Sequence, residues 1–342
     1  MRIGFALGYD PTMRVQEMAS WMQYADARGY ELGFFSETIN LMRDAVTALA
    51  AFAGATRHLR LGATQVVRLR SPIVMAQTLA SLDELAEGRL VLAAGACTRH
   101  HARLHGLPPA DPAVALREWV TAIRLLLTGQ RVRCAGEVVR LEDVRLGWMP
   151  RRAHVPVWIA ATSPTGLRLA GEIGDGVLLN AVTSPAYAAN ALRIVRQAAE
   201  EAGRDWARFE VAAIVPTSPE ETREAAVEAI RWEVASKFHP QRMAYNARVR
   251  AAVGEPVIRE DDLPALRTAF EQGGLEALAR ALPRAYVEEL TACGTVDDVA
   301  RRIQAYRDAG VRLPLLRPAA RHQIQRILDT FAPAVSGRPA GG

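Results

Sequence analysis

The sequence predicts a (β/α)8 barrel of the TIM type, and three observations carry that prediction. Apolar runs of strand length alternate with helical periodicities along nearly the whole chain, always strand then helix, which implies a parallel sheet. Eight such units fit into 342 residues, and eight favour a closed barrel over an open sheet. No GxGxxG follows the first strand, so a dinucleotide-binding open sheet has nothing to rest on.

The clearest unit spans residues 58–97. Residues 59–64 are short, apolar and β-leaning. Ser71 can cap a helix, and Pro72 suits its first position. Met75, Ala76, Leu79, Leu82 and Ala86 recur at helical spacing, and Gly88 closes the helix. Residues 90–94 are uninterruptedly apolar, as a strand covered on both faces requires. A helix between two such strands makes them parallel. Function is then expected at their carboxyl ends, at residues 64–68 and 95–101.

The remaining units follow the same logic. Residues 2–7 read as strand one and 13–28 as an amphipathic helix ended by Gly29; 31–36 form strand two. Asp44 caps a helix running to residue 56. Residues 98–111, polar and rich in His and Arg, are expected to loop over the strand ends. A helix over 112–127 ends at Gly129, and 131–146 form a small β excursion turning at Ala135-Gly136-Glu137. Strand five is 157–161, and Ser163-Pro164 opens a helix to 173. Strand six is 176–180, followed by a helix over 185–202; strand seven is 210–215, followed by a helix over 220–237. Residues 239–283 break the rhythm with Pro, Gly and charged helical pieces and read as an insertion before the last strand. A helix over 296–309, strand eight at 311–316 and a helix over 319–331 complete the set. One domain over 1–335 is expected, with 336–342 as a disordered tail.

Composition excludes several functions. Half the residues are hydrophobic, ample for one large core. The formal net charge is +5, but acidic residues are interleaved with arginine throughout, so no nucleic-acid surface is indicated. Lys237 is the only lysine among the 42 Lys and Arg, and it lies in SKFHP, late in a polar helix. A phosphate-binding GK[ST] loop and a Schiff-base lysine at a strand end are both excluded. Cys97, Cys134 and Cys293 are far apart with no CxxC, which fits a reducing cytoplasm. The first residues lack a signal pattern, and no apolar run reaches the ~18 residues of a membrane span.

Arg70-Ser71-Pro72, Ala76-Gln77, Leu82-Asp83-Glu84-Leu85 and Gly88-Arg89 form a connected set, and further motifs follow in order. These are Pro156-Val157 with Ala160-Ala161-Thr162, Ala170-Gly171-Glu172-Ile173 with Asp175-Gly176, and Cys293-Gly294-Thr295 with Ala309-Gly310-Val311. Over roughly residues 1–235 and 290–317 the chain resembles the luciferase-like flavin and deazaflavin oxidoreductases. In size and motif style it is most similar to the branch that uses coenzyme F-420, exemplified by methylenetetrahydromethanopterin reductases. The resemblance implies a cofactor ring at the strand carboxyl ends, with its phosphate-bearing tail on backbone amides after strands four and five. It also implies a homodimer acting on a small molecule.

On that resemblance the cofactor residues are Thr38, Thr64, Gln65, Gly95, Ala96, Cys97, Ala161, Thr162, Ser163, Pro164, Thr165 and Gly166. The turn at Thr162–Gly166 opens a helix N-terminus, which suits an anion at this face of a barrel; the plainer alternative is an ordinary helix cap. Family members often carry a cis non-prolyl peptide at the end of strand three, near Thr64-Gln65 here. They often have an acid followed by His after strand two; here Ser36-Glu37-Thr38 keeps the acid and loses the His. Glu37 is thus the candidate proton donor or substrate-positioning group, set against a carboxylate that only ties loops together. Arg68, His100, His101 and Asn180 are candidates for substrate contact. His101 and His105 stand at helical spacing, but no third ligand accompanies them, so no metal is expected. The expected function is hydride transfer between F-420 and a small organic substrate. The alternatives are an FMN-dependent monooxygenase, which would need a partner flavin reductase, and a non-catalytic ligand-binding barrel.

Overall fold

The computed structural model describes residues 2–8, 10–39 and 41–333, apart from the side chain of His101. The order is β1 (Gly4–Leu7), α1 (Val15–Ala27), β2 (Leu32–Phe35), α2 (Ala45–Ala55), β3 (Arg60–Val66), α3 (Pro72–Leu85), β4 (Leu90–Gly95) and α4 (Arg99–Leu104). Next come α5 (Pro112–Leu127), β5 (Val132–Ala135), β6 (Arg140–Val144), β7 (Val157–Ala161), α6 (Pro164–Ile173), β8 (Gly176–Leu179), α7 (Pro185–Glu201) and β9 (Glu210–Pro219). The rest is α8 (Arg223–Ser236), α9 (Met243–Ala251), α10 (Leu263–Ala281), α11 (Arg284–Leu290), β10 (Ala292–Gly294), α12 (Val296–Asp308), β11 (Leu313–Pro318) and α13 (Ile324–Thr330).

Four helices start with one device. Ser71, Asp111, Ser163 and Ser184 each cap a helix whose first residue is proline, and each side chain accepts an N–H of the first turn. Strands β1, β2, β3, β4, β7, β8, β9 and β11 pair in parallel in that order, and β11 returns to β1, closing the barrel. The hairpin β5–β6 lies outside it. The predicted (β/α)8 class is the observed one.

The structure differs from the sequence reading at several points. Residues 99–104, expected in a loop, form α4; buried Ala102 anchors it, with its N–H on Thr98 O at 2.9 Å. Strand β9 runs four residues past its expected end, because β11 and the three-residue strand β10 flank its carboxyl half. Among the described residues every peptide bond is trans, Thr64-Gln65 included. The expected tail, 336–342, lies outside the described residues. The segment 239–283 carries α9 and α10, the latter kinked at Gly273 and Gly274.

Residues alternate strictly along the strands. Phe5, Leu61, Leu92, Ile159 and Val211 face the helices, whereas Ala6, Phe34, Ala93, Trp158, Leu178 and Leu315 fill the barrel. Large residues face small ones across the interior. A Cβ on Gly176 would lie 2.7 Å from Trp158 Cδ1, and one on Gly62 would lie 2.9 Å from Phe34 Cδ2. At the amino end, Arg2 and Arg60 meet Glu31 and Glu210 at 2.6–3.3 Å, with the Arg60 guanidinium 5.7 Å from the Trp158 ring. This ionic plug closes the barrel floor.

Outside the barrel, Gly171 lets α6 and α7 approach. A Cβ there would stand 2.8 Å from Ala198 Cβ and from Ala199 N, so the helix pair would have to part. Gly171→Ala is expected to lower stability by about 1–3 kcal/mol through overpacking, read as an earlier urea midpoint with an unchanged slope.

Candidate active site

The strands are buried along their length but emerge at their carboxyl ends. Glu37, Thr38, Thr64, Gly95, Ala96, Thr98, Thr162, Ser163 and Asn180 are all half-exposed there, above a sealed interior. The register sets them side by side: Gln65 opposite Ala94, Val66 opposite Gly95, Gly95 opposite Ala160 and Ala161 opposite Leu179. The predicted residues of β2, β3, β4, β7 and β8 thus share one end of the barrel.

On one side of this mouth lies Glu37. Its Oε2 accepts from Gln65 Nε2 at 2.9 Å and its Oε1 from Ala45 N at 2.8 Å, so it also ties down the start of α2. Burial pushes its carboxyl above the ordinary carboxylate range, helped by the nearby Asp44 charge and opposed by Arg70 and the hydrogen bonds. Arg70 itself pairs with Asp44 and offers its carbonyl to Trp119 Nε1, a structural post.

The opposite side is built from β7 and β8. Asn180 Nδ2 donates to Thr162 Oγ1 at 2.9 Å, and Tyr187 OH donates to Thr162 O at 2.7 Å. Burial raises the Tyr187 phenol far above its usual value, which keeps it a donor. Ser163 Oγ takes the Gly166 N–H at 3.2 Å. Pro164 has no N–H and Leu167 N donates to Ser163 O at 2.9 Å, which leaves the Thr165 N–H without a partner in the helix at the positive end of the dipole. The floor between the two sides is small-residued. Only Gln65 O and Thr64 Cγ2 come within 4 Å of where a Cβ on Gly95 would stand, at 3.8 and 3.9 Å, so the strand end is not crowded there.

Cys97 is buried under the α4 turn; burial pushes its thiol up, opposed by the charge of Arg68. Arg68 adopts a left-handed backbone, φ 74°, and its NH2 donates to Pro108 O at 2.5 Å. It holds the α4–α5 connection over the mouth. His100 sits half-exposed on α4, and the His101 side chain lies outside the described atoms. Among the described residues no group of three or more His, Cys, Asp or Glu is placed to hold a metal, and no helix is long and apolar enough to cross a membrane.

Three features of the mouth carry no sequence signal. Val182, β-branched and fully buried, holds φ 63° just beyond Asn180, a costly conformation for its type. Its carbonyl accepts from Arg250 of α9, which also reaches Ala181 O at 3.4 Å. Glu255 accepts from Ser184 N at 2.9 Å, and Tyr306 donates to Thr183 O. The second feature is Arg317, 2% exposed near the end of β11, which pairs with Glu233 of α8. The third is that the buried apolar cluster filling the barrel continues through Val227 and Ile230 of α8 to Leu266, Leu278 and Tyr286. The segment after β9 therefore closes over part of the mouth.

A family model described as luciferase-like monooxygenase matches residues 1–313. A 5,10-methylenetetrahydromethanopterin reductase from Archaeoglobus fulgidus is 28% identical over 312 residues, covering 90% of this chain and 91% of the relative. Among solved structures, the coenzyme F-420 dependent tetrahydromethanopterin reductase of Methanopyrus kandleri superposes with a TM-score of 0.83 at 22% identity, covering 97% of this chain and 98% of that one. An F-420-dependent secondary alcohol dehydrogenase with an F-420–acetone adduct superposes with a TM-score of 0.75 at 20% identity, covering 98% and 100%.

Proposed function

The chain belongs to the luciferase-like monooxygenase family, and from that footing we propose that it is an oxidoreductase transferring a hydride between coenzyme F-420 and a small organic substrate. The observation that carries this reading is the open, small-residued mouth above a sealed barrel, with a carboxyl of raised pKa on one side and a helix N-terminus on the other. The reductase name of the Archaeoglobus relative supports it.

Residues 161–166 and the Gly95-Ala96 turn would hold the cofactor, the α6 N-terminus taking its anionic tail. Thr38, Thr64 and Gln65 would border its ring. When bound, a deazaflavin supplies or accepts a hydride, two electrons at a time, and reacts poorly with oxygen. The protein contributes position, exclusion of water and a proton. Glu37, whose carboxyl burial favours in its protonated form, is the group placed to donate to the substrate atom that gains negative charge, and Gln65 fixes its orientation. Asn180, braced on Thr162, and Arg68 with His100 and His101 of the α4 region would border the substrate.

Titration of the purified protein with F-420, and separately with FMN, followed by cofactor fluorescence, tests the reading. Micromolar affinity for F-420 with much weaker FMN binding is expected. The reverse preference would make the protein the oxygenating partner of a flavin reductase. Binding of neither would sink the redox reading in favour of a ligand-binding barrel.

A further inference from the structure

At the far end of the barrel, where Arg2 enters β1 and Arg312 enters β11, a cavity of about 610 Å³ opens between α7 and α12. Five arginines line it: Arg2, Arg193, Arg196, Arg307 and Arg312. Two are neutralised. Arg2 belongs to the plug with Glu31 and Glu210, and Arg196 pairs with Glu200 at 2.7 Å. The other three form no ion pair with any described carboxylate. Arg193 reaches only the Asn190 amide, Arg307 the Arg2 carbonyl at 2.8 Å, and Arg312 the carbonyls of Trp206, Ala207 and Phe209. Burial lowers the Arg307 pKa with no carboxylate to offset it.

Three guanidinium groups facing one cavity repel each other, and elsewhere this chain dissipates such charge by pairing: Arg28, Arg117, Arg124, Arg152 and Arg223 all have carboxylate partners. The cleft's remaining wall is apolar, with half-exposed Trp206 and Ala309 at its surface and buried Leu192 and Val311 behind them. Its volume lies in the range of small-molecule sites. A guanidinium fork fits phosphate oxygens two at a time.

We propose that this basal cleft is a binding site for a phosphate ester of nucleotide size, its phosphates held by Arg193, Arg307 and Arg312 and its organic part against Trp206 and Ala309. The site is separate from the carboxyl-end mouth, and the proposal does not rest on the redox reading.

The test uses the full chain, with ATP and pyrophosphate as probes and citrate as a polyanion lacking phosphate. Binding is followed by calorimetry and by tryptophan fluorescence at low salt, on the order of 50 mM, where charge is least screened. Saturable ATP binding that weakens with salt and is lost by roughly tenfold or more in R193Q/R307Q is the expected result. The F-420 titration of that variant should match that of the parent chain, which separates the cleft from the anion seat at α6. The single variant R193E, on an exposed position of α7, repeats the test should the double variant fold poorly. No saturable binding, equal binding in the variants, or citrate binding as tightly as pyrophosphate would overturn the proposal.

Discussion

Glu37→Gln is expected to lower turnover by roughly 10²–10⁴-fold, the range attributed to a positioned general acid, while leaving F-420 affinity nearly intact. The amide still accepts the Ala45 N–H, and Gln65 can turn its own amide to pair with the new one, so the fold at α2 survives. The pH profile separates chemistry from scaffolding. A proton donor works only while protonated, so the rate should fall as pH rises through the raised pKa of Glu37, and the variant should lose that limb. The same shift has a stability sign. A carboxyl that binds its proton more tightly when folded stabilises the protein at low pH, and that contribution disappears as pH rises through the folded pKa. A variant with lowered stability but unchanged kcat and pH profile would reduce Glu37 to a cap of α2.

Arg317→Met should be the most destabilising single change considered, by about 3–5 kcal/mol. Arg317 and Glu233 are 2% and 5% exposed, so removing the guanidinium strands a carboxylate inside the protein. The double variant R317M/E233L should recover most of the loss, because an apolar pair of similar volume asks for no desolvation. Urea unfolding of the three variants reads the cycle. Equal losses in the single and double variants would show that packing, not charge, holds α8 against β11.

Most of the barrel was legible because its signals are local. The Ser-Pro and Asp-Pro starts at Ser71, Asp111, Ser163 and Ser184 announce helices by cap chemistry, and the runs at 90–94 and 157–161 announce buried strands by their lack of polar residues. What was missed is non-local. Strand β10 is three residues long and exists only because the end of β9 offers it an edge. Helix α4 buries little beyond Ala102, so it shows no apolar stripe. Strand β9 runs on past Pro216, a residue without a backbone N–H to donate, and ends at Pro219. In the site, Glu37, Gln65, Thr162 and Asn180 were found at strand ends and do meet in pairs. Arg250 and Arg317 were invisible, since one arginine among so many gives no hint of burial. Val182 has no signature, because a positive φ is unexpected at valine.

The grip of α9 on the β8 loop has a consequence for protein engineering. On the barrel side of that junction the carbonyls of Ala181 and Val182 accept from Arg250, and the Ser184 N–H donates to Glu255. Those contacts behave like the plug and socket of an exchangeable part. A foreign helical segment grafted in place of residues 239–283 should seat correctly if it preserves that arginine and that glutamate and the apolar face at Leu266 and Leu278 that meets α8. The barrel would then serve as a fixed chassis, and new substrate ranges could be sampled by swapping the cover.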